Sequence, residues 1–419
     1  MQKPKGTKDL FGEESKKWNY VQNLVRNIME KYNYTYTKTP TFERSELFHR
    51  GVGDSTDIVR KETYDFKDRG NRDMTLRPEG TAGVVRSYIE NKLYADPNKP
   101  LKQYYFTSCF RYERPQSGRL REHTQFGVEV FDSASPYVDA EIISIAVNLF
   151  KLLGLKQVIV KLNTLGDNES RLEYKKKLVD HFKPHIDELC EDCKERLNIN
   201  PLRILDCKVD TDNPIMKSAP KTIDYLNKES KEYFEEVKKN LELLEIEYEI
   251  DTNMVRGLDY YTHTIFEIQS SIEGFGSQTT LCAGGRYDKL IETLGGPSTP
   301  AVGFGMGLER LILALDAEKI DLLGNNNNID VFVYGMENTQ DEMFKITNEL
   351  RMNGFKTEMD YYNKKLSNVF KQIDRLKATY IVIIGDEELK ENKLTIKQNG
   401  GQEEKISKDK LVEYLDKNI

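Results

Sequence analysis

Cysteine is scarce in this chain: five residues among 419, an odd number, too few for a disulfide framework and suited to a reducing compartment. No stretch approaches the roughly 20 consecutive apolar residues that span a bilayer, so no membrane segment is expected. Met1-Gln2-Lys3-Pro4-Lys5-Gly6 runs into polar sequence without an apolar core segment, so the reading is a cytoplasmic protein without a secretory signal. The motifs G-x-x-x-x-G-K-[ST], H-E-x-x-H and G-x-S-x-G are all missing, which excludes a P-loop, a zincin helix and a nucleophile elbow. Any use of ATP must therefore proceed without a P-loop. Charge of one sign is not in large excess either: 62 Lys and Arg face 69 Asp and Glu, a net −7. That balance argues against a general polyanion binder and leaves nucleic acid to a local basic face.

What is present, 38% hydrophobic and 31% charged residues, describes a globular chain of two or three domains at about 100 to 200 residues each. Residues 15–32 place Trp18, Val21, Leu24, Val25, Ile28 and Met29 at spacings of three and four, which predicts an amphipathic helix. Strand-like runs follow at Lys102 to Phe106 and Phe126 to Phe131, then a helix from Val138 to Leu153. Successive strands without intervening helices favour an antiparallel sheet flanked by helices, an α+β fold, over a doubly wound one. Lysine- and glutamate-rich sequence at about 166–245 reads as a helical insertion, after which Thr264 to Ile268 resumes the sheet and Leu308 to Leu315 reads as a helix. Gly324-Asn325-Asn326-Asn327-Asn328 is the strongest linker signal, dividing residues 1–325 from an α/β domain at 329–419.

Phe110-Arg111-Tyr112-Glu113-Arg114, read as a strand, precedes a glycine-containing loop and Arg119-Leu120-Arg121. Arginines in a strand and again after a loop can aim several guanidinium forks at one polyphosphate. Arg310 stands on an otherwise apolar helix start, where a cation needs a partner or an anion. Arg256-Gly257-Leu258-Asp259-Tyr260-Tyr261 and Gly284-Gly285-Arg286-Tyr287-Asp288 suit either a pocket for a small polar substrate or tyrosines packed beside turns. Gly303-x-Gly305-x-Gly307 reads as a tight strand-to-helix junction, its third glycine falling too early for a dinucleotide loop. Cys190-x-x-Cys193 and Cys207 read chiefly as packing residues. Zinc would need a fourth ligand such as His181 or His185, and no second paired motif is visible.

Taken in order, Arg77-Pro78-Glu79-Gly80-Thr81, Phe110-Arg111-Tyr112-Glu113, Arg256 to Tyr261, Gly284 to Asp288 and Gly303-Phe304-Gly305-Met306-Gly307-Leu308-Glu309-Arg310 resemble the motifs of the histidyl-tRNA synthetases. That family belongs to the class II aminoacyl-tRNA synthetases, and the resemblance covers essentially the whole chain. It implies a catalytic antiparallel sheet, an insertion near the tRNA acceptor arm, a C-terminal α/β anticodon-binding domain and a homodimer. The implied activity is histidine–tRNA ligation with ATP, Mg²⁺ arriving with the nucleotide and no metal site of protein ligands alone.

The same resemblance implies that Arg111 and Arg256 face the α-phosphate and the reacting carboxylate. Glu79, Gly80, Thr81 and Gln125 hold the substrate amino end, Glu129 and Tyr261 read the imidazole, and Tyr260 and Tyr287 complete its pocket. Glu113, Arg119, His123 and Arg310 join Arg111 around ATP. His123 falls where the class places a phenylalanine that stacks on adenine, and Phe126, the next aromatic, is out of phase. Gly305 stands where the family often has alanine, read as a harmless exchange. L-Histidine, ATP and tRNA(His) are the implied partners. The competing resemblance is to the non-catalytic regulatory subunit of ATP phosphoribosyltransferase, which usually lacks the terminal domain and the Arg256 motif.

Overall fold

The computed structural model describes the chain except residues 54–55, 208, 273–274, 276–278 and 325–327. Two compact units divide between Leu322 and Leu323, close to the expected linker, whose residues 325–327 lie outside the described residues.

Alternation along Glu122–Phe131 organises the first unit. Side chains of neighbouring strand residues leave on opposite faces. Phe126, Val128 and Val130 therefore enter the main core, while His123, Gln125 and Glu129 take the other face. Leu101–Phe110 and Ala301–Gly307 flank this strand antiparallel, and the ladder continues through Thr280–Arg286, Thr262–Ser270 and Val158–Thr164. Short parallel strands Thr35–Tyr36 and Tyr248–Ile250 close the two edges of what is, among the described residues, an eight-stranded sheet. Gly303-Phe304-Gly305-Met306-Gly307 is thus strand rather than a phosphate loop, and Gly307 caps the helix Leu308–Ala317.

The core face is covered by Gly12–Lys31, Pro136–Leu153, Lys228–Leu243 and Leu308–Ala317. Pro136–Leu153 starts two residues before the expected Val138 because Ser135 accepts the Tyr137 N–H and Pro136 occupies the first helical position. Gly154, at φ 86°, ends it in the left-handed conformation that glycine adopts freely.

The lysine- and glutamate-rich segment divides between two cores. Tyr174, Leu178, Phe182, Leu189, Cys193, Leu202 and Met216 form a small core of their own. Phe234, Val237 and Leu241, on Lys228–Leu243, instead belong to the main core beside the helix Pro136–Leu153. Helical periodicity reports one buried stripe and is silent about which core receives it.

In the second unit Val331–Gly335 lies between Thr357–Met359 and Tyr380–Ile384, all parallel, and Lys393–Gln398 and Glu403–Ser407 extend the sheet antiparallel. Tyr380–Ile384 is buried at all five positions, as its unbroken apolar run requires of a central strand. Gln340–Met352 and Leu366–Leu376 match the two expected helices. The terminal hairpin and the helix Leu411–Asn418 extend beyond the sequence reading, since their alternating charged residues carry weak strand signal.

Candidate active site

The sheet face opposite the main core opens into a cleft of about 780 Å³ including its mouth. Arg111, Glu113, Arg119, His123, Gln125, Arg256, Glu309 and Arg310 line it. Arginines from three distant motifs therefore share one hollow. Arg111 follows the last residue of Leu101–Phe110 and is anchored by its Nε–H to the Pro78 carbonyl at 2.8 Å. Arg310, in the first turn of Leu308–Ala317, donates to the carbonyls of Gly118 and Thr280 at 2.7 and 3.0 Å. Burial lowers the Arg310 pKa, and the facing Arg111 lowers it further. Arg256 pairs with Glu267 and lies 5.8 Å from the Tyr261 ring centre.

Carboxylates partly balance these cations. Burial works against the charge of Glu113, but the Arg119 fork and nearby Arg111 hold its pKa below the ordinary range. Neighbouring Glu62 is pushed up to about 7 by burial and by Glu113. Burial likewise opposes charge on Glu267, and Arg256 keeps it ionised. Glu309 accepts the Thr124 N–H at 2.8 and 3.0 Å, with burial raising it to about 7. His123 is lowered to about 3 by burial and by Arg111, so its ring is neutral near pH 7.

Beside the cleft lies a second, closed group. Glu79 turns back on the helix Thr81–Glu90, accepting the N–H groups of Thr81 and Ala82 at 2.7 Å each, the arrangement that a helix start favours for a carboxylate. Glu129 accepts from the hydroxyls of Thr81 at 2.7 Å, Tyr105 at 3.2 Å and Tyr287. Its burial outweighs those donors and raises it to about 8. Tyr260 packs between Tyr261 and Tyr287, with ring centres at 4.7 and 5.6 Å. Gln125 joins the two groups: it lines the cleft and accepts the Gly80 N–H at 2.9 Å.

Glycine on the neighbouring strand makes this arrangement possible. A Cβ at Gly303 would lie 1.9 Å from Glu129 Oε2 and 2.3 Å from the Val128 carbonyl. At Gly305 it would lie 2.1 Å from Gln125 Nε2. An alanine at 305 would have to displace only the end of the flexible Gln125 side chain.

Other expectations also change. Arg111 to Arg114 lie beyond the strand end. Arg121 leaves the polyphosphate cluster, stacking at 4.0 Å on Tyr112 and donating to the Glu113 carbonyl. Arg286 faces away from the cleft, 1% exposed, in an ion pair with Asp139 and Asp288. Breaking a buried pair of this kind costs about 3–5 kcal/mol, which makes Arg286 structural. Arg77 is structural too, donating to the carbonyls of Thr39, Pro40 and Ser108. Phe126 cannot face the cleft: it packs among Phe106 and Phe304 in the main core. Glu62 and Glu267 were not anticipated, because an isolated glutamate in a strand or helix carries no motif signal, and Glu309 stood within the Gly303 to Arg310 motif without an assigned role.

Residues 6–311 match the family described as histidyl-tRNA synthetase, and residues 325–418 match an anticodon-binding domain. The chain belongs to the histidyl-tRNA synthetase family. It is 50% identical to the histidine–tRNA ligase of Oceanobacillus iheyensis over 100% of this chain and 98% of the relative. The histidine–tRNA ligase of Macrococcus caseolyticus is 51% identical, with 98% of each chain covered. Among solved structures, apo Staphylococcus aureus histidyl-tRNA synthetase superposes with a TM-score of 0.84 at 43% identity, covering 99% of both chains. This membership bears out the expected α+β class II architecture with its C-terminal anticodon-binding domain. Among the described residues, no helix is long and apolar enough to cross a membrane.

Proposed function

We propose that the cleft binds ATP and the adjoining glutamate–tyrosine group binds L-histidine, so that the amino acid's carboxylate meets the α-phosphorus between Arg111 and Arg256. The observation that carries this reading is the convergence of Arg111, Arg256 and Arg310 in one hollow joined through Gln125 to Glu129. In the first step a carboxylate oxygen bonds to the α-phosphorus while the bond to the bridging oxygen breaks, giving histidyl-adenylate and pyrophosphate. The carboxylate is ionised at neutral pH, so no general base is required. Fixed guanidinium groups stabilise charge spreading over the phosphoryl oxygens, and Arg310 reaches the outer phosphates. Mg²⁺ bound with ATP supplies further charge neutralisation, and ionised Glu113 is the cleft carboxylate suited to meet it. Arg119 closes on Glu113, while neutral His123 offers a ring to the adenine.

Glu79, Gly80, Thr81 and Gln125 orient the amino end of histidine. Glu129, Tyr260, Tyr261 and Tyr287 recognise its imidazole, whose polar edge satisfies groups that an apolar side chain would leave unpaired. In the second step a ribose hydroxyl at the 3′ end of tRNA(His) attacks the adenylate carbonyl, releasing AMP. The full-length relatives near 50% identity are histidine–tRNA ligases, so the chain acts as a class II aminoacyl-tRNA synthetase rather than the regulatory subunit. We infer a cytoplasmic homodimer, in keeping with the family's work in protein synthesis.

Pyrophosphate exchange into ATP, measured with each of the twenty amino acids, tests this assignment. Histidine alone should support exchange; another substrate, or none, would overturn the reading. The terminal unit has its own apolar cores, so removing residues after Asn328 should leave exchange within about threefold while tRNA charging falls about 100-fold or more, by loss of the second binding module. Normal charging by the shortened chain would mean that the anticodon-binding unit does not contribute to tRNA capture.

A further inference from the structure

In the insertion, Cys190, Cys193, Cys207 and Asp210 place one ligand atom each within 4.8 Å of one another. Cys190 Sγ and Cys207 Sγ are 3.6 Å apart, and Cys207 Sγ lies 3.5 Å from Asp210 Oδ2. A tetrahedral zinc with bonds of about 2.3 Å to sulfur sets ligand atoms about 3.8 Å apart, whereas a disulfide draws two sulfurs to about 2 Å. The observed spacings match the edges of a metal tetrahedron.

Cys190 and Cys193 occupy the N-cap and first turn of Glu191–Ile199. Cys207 and Asp210 follow the short helix Pro201–Ile204. The arrangement is therefore two paired motifs, C-x-x-C and C-x-x-D. The second escaped sequence reading because its last ligand is a carboxylate. Neither histidine considered from sequence supplies the fourth ligand: His181 Nε2 lies 3.0 Å from the Ile215 carbonyl and His185 Nδ1 lies 2.9 Å from Glu188.

Backbone contacts orient the four groups as outer contacts orient metal ligands. Asp210 accepts the Cys190 N–H at 3.1 Å, and the Asp210 N–H points to Cys207 Sγ at 3.4 Å. From these positions we propose that Cys190, Cys193, Cys207 and Asp210 form a structural zinc site. The soft, thiolate-rich set selects zinc over magnesium or calcium. The ion fastens the start of Glu191–Ile199 to the turn after Pro201–Ile204. Between the two pairs, Asn200 donates to Asp259 at 2.7 Å and Arg203 to the Gly257 carbonyl at 2.7 Å. The site thus steadies the segment bearing Arg256.

Elemental analysis of the purified full-length protein should find about one zinc per chain, lost in Cys190→Ser/Cys207→Ser and diminished in Asp210→Asn. Cobalt loaded into metal-stripped wild-type protein should give the sulfur-to-metal charge-transfer absorption and intense visible bands of a tetrahedral thiolate site. Removing the metal should lower the unfolding temperature by about 5 °C or more, reversibly on adding zinc. The proposal fails if wild-type protein holds no zinc as purified or after reloading, or if cobalt gives only octahedral bands. It also fails if the double variant, folded by circular dichroism, keeps the wild-type metal content. Zinc content and cobalt spectra are independent of catalysis, so they decide this site whatever the exchange assay shows.

Discussion

Replacing Arg256 by alanine should lower histidine-dependent pyrophosphate exchange by about 10³-fold, equivalent to about 4 kcal/mol of transition-state stabilisation. Arg256 sits in the cleft with Arg111 and Arg310, and its pairing with Glu267 fixes the guanidinium before substrate arrives. A preoriented cation undergoes little rearrangement as charge develops, which is the condition under which a single group contributes most. The loss should fall mainly on turnover, because the developing charge on phosphorus belongs to the transition state rather than to bound substrate. Arg256→Lys should recover part of the rate, since it restores charge without the planar fork. The fold should survive: Glu267 keeps hydrogen bonds from Gln269 at 2.9 Å and Thr280 at 2.7 Å. Exchange within threefold of wild type in a correctly folded Arg256→Ala protein would remove this residue from the reaction.

A second large effect is expected at a position with no chemistry of its own. Gly303→Ala should raise the KM for histidine about 100-fold while changing that for ATP much less. The added methyl would meet Glu129 Oε2 and the Val128 carbonyl at 1.9 and 2.3 Å. The carbonyl belongs to the strand ladder and cannot swing aside, so Glu129 must leave its hydroxyl partners or the strand must shift, costing about 1–3 kcal/mol of stability. Gly305→Ala provides the comparison. Its methyl would meet the end of the flexible Gln125 side chain, which can rotate away at the loss of the hydrogen bonds it accepts from the Gly80 N–H and Cys109 Sγ, so a KM increase of about threefold to tenfold is expected. Steady-state exchange at varied histidine separates the cases. Equal, small effects of the two alanines would show that Glu129 does not bind the imidazole in this position.

Several features of the site were legible because they are local. Spacing predicted a helix over 15–32, close to the observed Gly12–Lys31, and the expected helix Val138 to Leu153 and strand run Phe126 to Phe131 fall within Pro136–Leu153 and Glu122–Phe131. The ordered motifs brought Arg111, Arg256, Arg310, Gln125 and Glu129 forward as one group. Motif reading overreached where residue type was mistaken for direction: Arg121 stacks on Tyr112, and Arg286 is buried against Asp139. It fell short at Glu62 and Glu267, whose importance comes from the arginines beside them, and at Glu309, which lines the cleft and accepts the Thr124 N–H.

By itself, the sequence determined the family, the order of elements and the residue types available to the site, because periodicity and motif order are properties of chain neighbours. Only tertiary structure decided which cations face each other, that Gly303 clears space for Glu129, and that Asp210 joins three cysteines. Those relations depend on strand pairing and on turns that bring together residues remote along the chain, so no local pattern records them.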